Sequence, residues 1–296
     1  MAMEKIKNIF YNEVEARLRA GWRILLFICI MIFLVIVSEH TIDNFLGGLP
    51  EDKTLRLFYS VLLAATIGTV STIIARRYLD KRSFVSFGLN LDIDALKDWL
   101  VGYFISFAMA ALVFFSMVLF GITEFQGFNE QLFTSEFLMK FLLMFIMYCG
   151  LVAWWEELVF RGVLLQNMIS GMGKNLAVII SCLIYGLVHA TNDNAGILSS
   201  LIIVLFGYMR LYGYLRTSQL WLSMGMHAGW NFFQGPVFGY ATSGYAVDTI
   251  LVHELNGPDW LTGGKFGPEG SIITVVVVLL AIGTMYWWTK GRPEVH

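Results

Sequence analysis

The apolar positions of the 296-residue chain gather into eight stretches. They run Ile24 to Val37, Leu57 to Ala75, Leu100 to Phe120, Phe137 to Met168, Leu176 to Ala190, Ile197 to Met209, Leu220 to Val237 and Ile272 to Trp288. About 20 apolar residues in helical form cross the hydrocarbon of a bilayer, so each stretch with its flanks predicts a transmembrane helix. Gly, Asn and His interrupt the middle ones. The pattern predicts an all-α membrane protein: a multi-pass bundle of about eight transmembrane helices forming one domain over residues 1–296. The fourth stretch contains an anomaly, Trp154-Trp155-Glu156-Glu157-Leu158-Val159-Phe160-Arg161-Gly162, two adjacent carboxylates inside an apolar helix. Acidic side chains at membrane depth are costly, which makes them candidates for function.

Charge placement orients the bundle. Lys5, Lys7, Arg17, Arg19 and Arg23 precede the first stretch, and Arg76, Arg77, Lys81, Arg82 and Lys97 follow the second. Arg210 and Arg216 follow the sixth, and Lys290 and Arg292 the eighth. The alternate connections, Asn44 to Pro50, Thr123 to Ser135 and Thr191 to Ala195, have no Lys or Arg. Cytoplasmic loops carry the Lys/Arg excess, so both termini are expected inside. The long connection Gly239 to Gly270 falls outside.

Composition agrees, with 57% hydrophobic and 14% charged residues against about 45–50% and about 25% in soluble domains. The net charge of −2 and the lack of a basic stripe exclude nucleic acid as a partner. Cys29, Cys149 and Cys182 each lie in an apolar run, a pattern of core residues and not of a disulfide or thiolate-metal framework. Met1 to Arg23 is charged and amphipathic and reads as no removable signal peptide.

The fourth and fifth helices are joined at Ser170-Gly171-Met172-Gly173, a helix-ending turn. Glu156 and Glu157 lie about sixteen residues before its centre and His189 about sixteen after it, so at 1.5 Å per residue a glutamate and a histidine share one depth. His227 and Asn231, four apart on the seventh helix, share a face and fall near the same depth. Glu157 and Arg161 have the spacing and order of a helix ion pair. Glu156, about 100° round the helix, is then left for proton chemistry. A carboxylate and an imidazole can deprotonate a water; an imidazole and a carboxamide can donate to an oxyanion. These are the parts of a hydrolase. Each feature alone also has a structural explanation, such as a buried ion pair or an interhelical hydrogen bond; their common depth favours a site. His253-Glu254 is not a zinc helix because Gly257 stands where a second His is required. No Asp lies in the spans for a two-aspartate protease. Trp154, Trp155, Trp287 and Trp288 read as packing or interface anchors.

At these residues the chain resembles the CAAX-protease and bacteriocin-processing family of intramembrane proteases, which includes the type II CAAX prenyl endopeptidases. The family pattern is Glu-Glu-x-x-x-Arg, aromatic-x-x-x-His and His-x-x-x-Asn, here Glu156, Glu157 and Arg161; Tyr185 and His189; His227 and Asn231. Phe is the commonest aromatic in the second motif, so Tyr185 is a mild departure. The resemblance covers about residues 137–235, which it marks as the catalytic core. It implies an intramembrane endopeptidase acting near the cytoplasmic face on a membrane-associated peptide or protein, prenylated or a leader peptide. Glu156 and His189 would activate water, His227 and Asn231 would form the oxyanion site, and Glu157, Arg161 and Tyr185 would support them. It implies no cofactor, with zinc as the alternative because a Glu and two His make a known zinc set. The expected location is a prokaryotic plasma membrane. The rival reading is a non-proteolytic scaffold or regulator of the cell envelope.

Overall fold

The computed structural model describes residues 8–46 and 48–292; Lys5 and Lys7, whose charges entered the orientation, lie outside them. Each predicted apolar stretch is helical: α1 Ala20–Thr41, α2 Lys53–Ile74, α3 Ile93–Leu119, α4 Ser135–Met172, α5 Lys174–His189, α6 Ile197–Thr217, α7 Trp221–Phe232 and α8 Ile272–Trp288. Five of these segments, α1 to α4 and α6, are long and apolar enough to cross a membrane by themselves. Their apolar side chains are not all tucked inward. Leu25, Ile32, Phe33 and Ile36 on α1 and Val276, Leu279 and Leu280 on α8 are exposed, the pattern of helices whose outer faces meet lipid. The protein is an all-α membrane protein with little sheet.

One boundary differs from the hydropathy reading. α6 continues past Met209 to Thr217, so Arg210 and Arg216 are helical and buried, not loop charges. Arg216 bonds Thr289 Oγ1 at 3.0 Å. The segments between and before the helices are also more ordered than their composition suggests. β1 Tyr11–Asn12 pairs with β2 Arg17–Leu18, and β3 Thr123–Phe128 pairs antiparallel with β4 Leu251–Leu255, joining two connections remote in sequence. A helical turn at Asp259–Thr262 and tight turns at Gly264–Phe266 and Pro268–Gly270 lead into α8.

α7 is the buried centre of the bundle. It lies against α3 so closely that a Cβ on Gly225 would stand 2.0 Å from the Trp99 carbonyl, and one on Gly229 2.6 Å from that of Tyr103. The Gly225-x-x-x-Gly229 spacing puts both glycines on one face, the small-residue device for close helix packing in lipid. Ser106 seals the contact, its hydroxyl donating to the Met226 carbonyl at 2.7 Å.

α4 is not a uniform helix. Its α-helical turn Ala153–Glu157 lies between wide π-helical stretches, Ile146–Val152 and Leu158–Leu165. Such stretches are rare and recur at functional sites. Gly173, at φ +82°, closes the tip between α4 and α5. Arg23 of α1 holds that tip by a bond to Ser170 Oγ at 3.1 Å and pairs with buried Asp80 at 3.0 Å.

Candidate active site

Glu156, His189, His227 and Asn231 line one cavity of about 720 Å³, within the size range of small-molecule and peptide sites. Glu156 projects into it from the α-helical turn of α4, His189 from the end of α5, and His227 and Asn231 from α7. Trp155, Tyr185 and Arg210 also reach it. Glu157 and Arg161 do not; their side chains are 0% and 1% exposed behind the wall. The structure brings all four expected site residues together and separates the two carboxylates.

The pairings differ from the hairpin register. Glu156 faces Tyr185, whose hydroxyl donates to Glu156 Oε2 at 2.9 Å, while His189 sits one turn further along α5. Counting at 1.5 Å per residue overstates the distance from Glu156 to the tip. The π-helical stretch Leu158–Leu165 intervenes and places more residues in each turn. His189 Nδ1 is 2.9 Å from the Tyr185 carbonyl. A carbonyl only accepts, so Nδ1 carries the proton and the bare nitrogen of a neutral ring is Nε2.

Glu157 makes the ion pair expected with Arg161, N to O 3.3 Å, and also a contact the sequence did not disclose. Its Oε1 is 2.9 Å from His227 Nδ1. With Glu157 a carboxylate against Arg161, Nδ1 of His227 donates the proton and Nε2 is left toward the cavity, 3.8 Å from Glu156 Oε2. The pair Glu157–His227 thus fixes a ring orientation as carboxylates do elsewhere for catalytic and metal-binding imidazoles. Arg161 is anchored in turn by donation to the Gly207 carbonyl of α6 at 3.1 Å, and its guanidinium lies 4.5 Å from the Tyr185 ring centre. The Asn231 carboxamide lines the cavity with no side-chain partner among the described residues.

Two further charged residues belong to this cluster. Arg210, read from sequence as a loop charge, is 2% exposed and donates to the Tyr185 hydroxyl. Tyr185 therefore links a guanidinium to Glu156, a link that Phe could not make. Glu269, from the outer connection, is 1% exposed; it accepts from Trp230 Nε1 at 3.0 Å and Ser243 Oγ at 2.5 Å. Trp230 adjoins Asn231, so Glu269 ties the outer turn to the helix that carries the site. Arg210 stands one residue past the apparent end of its hydrophobic stretch, which is the signal that could have found it. Glu269 has none, because its partners come from loop folding.

The cavity opens away from the tip of α4 and α5. Lys53 and Arg56 at the start of α2, Asn192 and Asp193 after α5, and Thr242, Ser243, Tyr245 and Ala246 after α7 line its mouth. Asn192 donates to the Ser243 carbonyl at 3.1 Å, and Gly244 seats on the Asp193 backbone where a Cβ would be 2.1 Å from its carbonyl. The mouth thus lies at the end of the bundle opposite Arg76 to Lys97.

Among the described residues no three His, Cys, Asp or Glu side chains group as metal ligands. Nδ1 of His189 and Nδ1 of His227 are both committed to protein acceptors.

The family described as type II CAAX prenyl endopeptidase Rce1-like matches residues 138–233. Over residues 138–233 the chain is similar to that family. The matched segment runs from α4 to just past α7 and contains Glu156, Glu157, Arg161, Tyr185, His189, His227 and Asn231. Arg210 lies within it and Glu269 outside it. The Rce1-like family is one of membrane proteases, and the apolar helices around the segment agree with that setting. The comparison with curated proteins finds no match to this chain.

Proposed function

We propose that the protein is a glutamate-dependent intramembrane endopeptidase in a prokaryotic plasma membrane. The observation that carries this reading is the single cavity lined by Glu156, His189, His227 and Asn231, with Glu157 and Arg161 behind its wall. A water held against Glu156 loses its proton to the carboxylate as its oxygen attacks the scissile carbonyl. His189, with Nε2 as its free nitrogen, is the second acceptor for that water.

The roles of His227 and Asn231 separate. Asn231 offers N–H donors to the developing oxyanion. A neutral His227, its Nδ1–H held by Glu157, offers only a lone pair at Nε2. It becomes a donor after receiving the proton from Glu156, 3.8 Å away. The proton then passes to the leaving amine as the carbon–nitrogen bond breaks. Glu157, Arg161 and Tyr185 position these groups.

The substrate is a membrane-associated peptide or protein, of the CAAX or leader-peptide type that the Rce1-like segment suggests. The reading needs no metal. Zinc would instead require Glu156, His189 and His227 to converge on one ion, and activity then to vanish on chelation and return with zinc.

The test compares protein N-termini in membranes from cells carrying the wild type and the Glu156→Ala protein. Termini present with the wild type and missing with Glu156→Ala are expected. Identical sets, with both proteins folded and equally abundant, would overturn the reading and favour a scaffold.

A further inference from the structure

The two ends of the bundle carry opposite charge. One end holds the start of α1, the connection from α2 to α3, the tip between α4 and α5, and the end of α8. Arg19, Arg77, Lys81, Arg82, Lys97 and Lys290 are exposed there. At the other end the lysines and arginines among the described residues are Lys53, Arg56, Lys140 and Lys265. Lys140 is already paired with Asp52 at 3.3 Å and Glu136 at 2.9 Å. That end is rich in acid instead, with Glu51, Glu124, Glu130, Asp193, Glu254 and Asp259 exposed or half-buried. Short loops follow the rule that Lys and Arg stay on the cytoplasmic side, a rule to which Asp and Glu contribute little. The basic end is therefore the cytoplasmic one.

The cavity does not open at that end. Its mouth is built from the acidic end: the start of α2, the residues after α5 and the turn Thr242–Tyr245. That turn is fastened over the cavity by the Glu269–Ser243 bond and the Asn192–Ser243 bond. On the basic side the cavity is closed by packed side chains. Phe160, Tyr185 and Arg210 line it toward that end, where Leu158, Leu211 and Leu222 are buried.

We infer that the cavity is loaded from the non-cytoplasmic side, so that its substrate is an exported segment of a membrane protein or an exported peptide, and not a cytoplasmic prenylated tail. This inference rests on the peptidase reading for the word substrate; the direction of the opening rests on charge and cavity walls alone.

Two measurements test it. In a chain with Cys29, Cys149 and Cys182 replaced by Ala, Tyr245→Cys at the mouth and Arg77→Cys at the basic end are treated with a membrane-impermeant maleimide in intact cells. Tyr245→Cys should be labelled in intact cells, and Arg77→Cys only after permeabilisation. The reverse pattern overturns the inference whatever the protein cleaves. The second measurement maps each Glu156-dependent terminus to its side of the membrane. Termini in extracytoplasmic segments support the inference, and termini confined to cytoplasmic segments overturn it. Labelling as expected with no Glu156-dependent terminus supports the direction of the opening, overturns the exported-substrate clause and sinks the peptidase reading itself.

Discussion

Glu156 and Glu157 are neighbours in the chain with different surroundings. Glu156 is 12% exposed in a cavity, whereas Glu157 is 0% exposed between Arg161 and His227. Substitution should separate them. Glu156→Gln keeps shape and removes the base, and is expected to lower cleavage by about 10²–10⁴-fold with little change in thermal midpoint. Arg161→Ala leaves the buried Glu157 carboxylate without its cation, held only by His227, and removing one partner of a buried ion pair costs about 3–5 kcal/mol, so its loss should appear first as a lower unfolding midpoint in detergent. Tyr185→Phe removes the hydroxyl between Arg210 and Glu156. A hydrogen bond to a charged group is worth about 1.5–3 kcal/mol, so a fall in kcat of roughly 10–100-fold is expected, measured on any Glu156-dependent cleavage. Unchanged kcat would show that the hydroxyl plays no part in setting Glu156. The spacing of four between Glu157 and Arg161, and between His227 and Asn231, was readable in the sequence. The contact of Glu157 with His227 was not, because it depends on how α7 turns against α4.

At the scale of elements, two features hold the site in place: the close contact of α7 with α3, and the cross-connection strands on the acidic end. Gly229→Leu would drive a side chain into the Tyr103 backbone and the Ser106 side chain, and overpacking of this kind costs about 1–3 kcal/mol or more. Gly150→Ala, with nothing within 4 Å of its Cβ position, should leave the midpoint unchanged; a parallel pair of thermal scans checks both. The β3–β4 pair brings His253 against Tyr240 and Phe114. Burial holds the His253 imidazole below its ordinary pKa. The unfolded chain then takes up a proton first, so stability falls as pH drops below about 6.5 and levels off once the folded ring is also protonated. The midpoint should therefore decline on acidification in the wild type, and decline less in His253→Phe. None of this strand pairing was legible beforehand, since Thr123 to Phe128 and Leu251 to Leu255 are separated by four helices. The helices themselves were legible, because lipid demands long apolar runs with internal hydrogen bonds. Hydropathy misplaced the end of α6, where a buried Arg210 interrupts the apolar run without ending the helix.

Across the whole molecule, the depth of the site and the side on which it opens are separate matters. Depth followed from the hairpin at Gly173, and it brought Glu156 and His189 to one cavity even though the π-helical turns of α4 shifted their register. The direction of the opening did not follow, because the walls at its mouth include Asn192, Asp193, Thr242, Ser243, Tyr245 and Ala246, in connections without hydrophobic pattern. Glu269 was invisible for the same reason. For the whole protein, the central proposal is that Glu156 acts as the base of a peptidase without a metal. The most direct measurement is the rate at which a Glu156-dependent new terminus forms in isolated membranes stripped of metal ions with a chelator. An unchanged rate in stripped wild-type membranes, and none with Glu156→Gln, is the result expected. Full cleavage by the Glu156→Gln protein, or loss of wild-type cleavage on chelation with recovery on adding zinc, would contradict it.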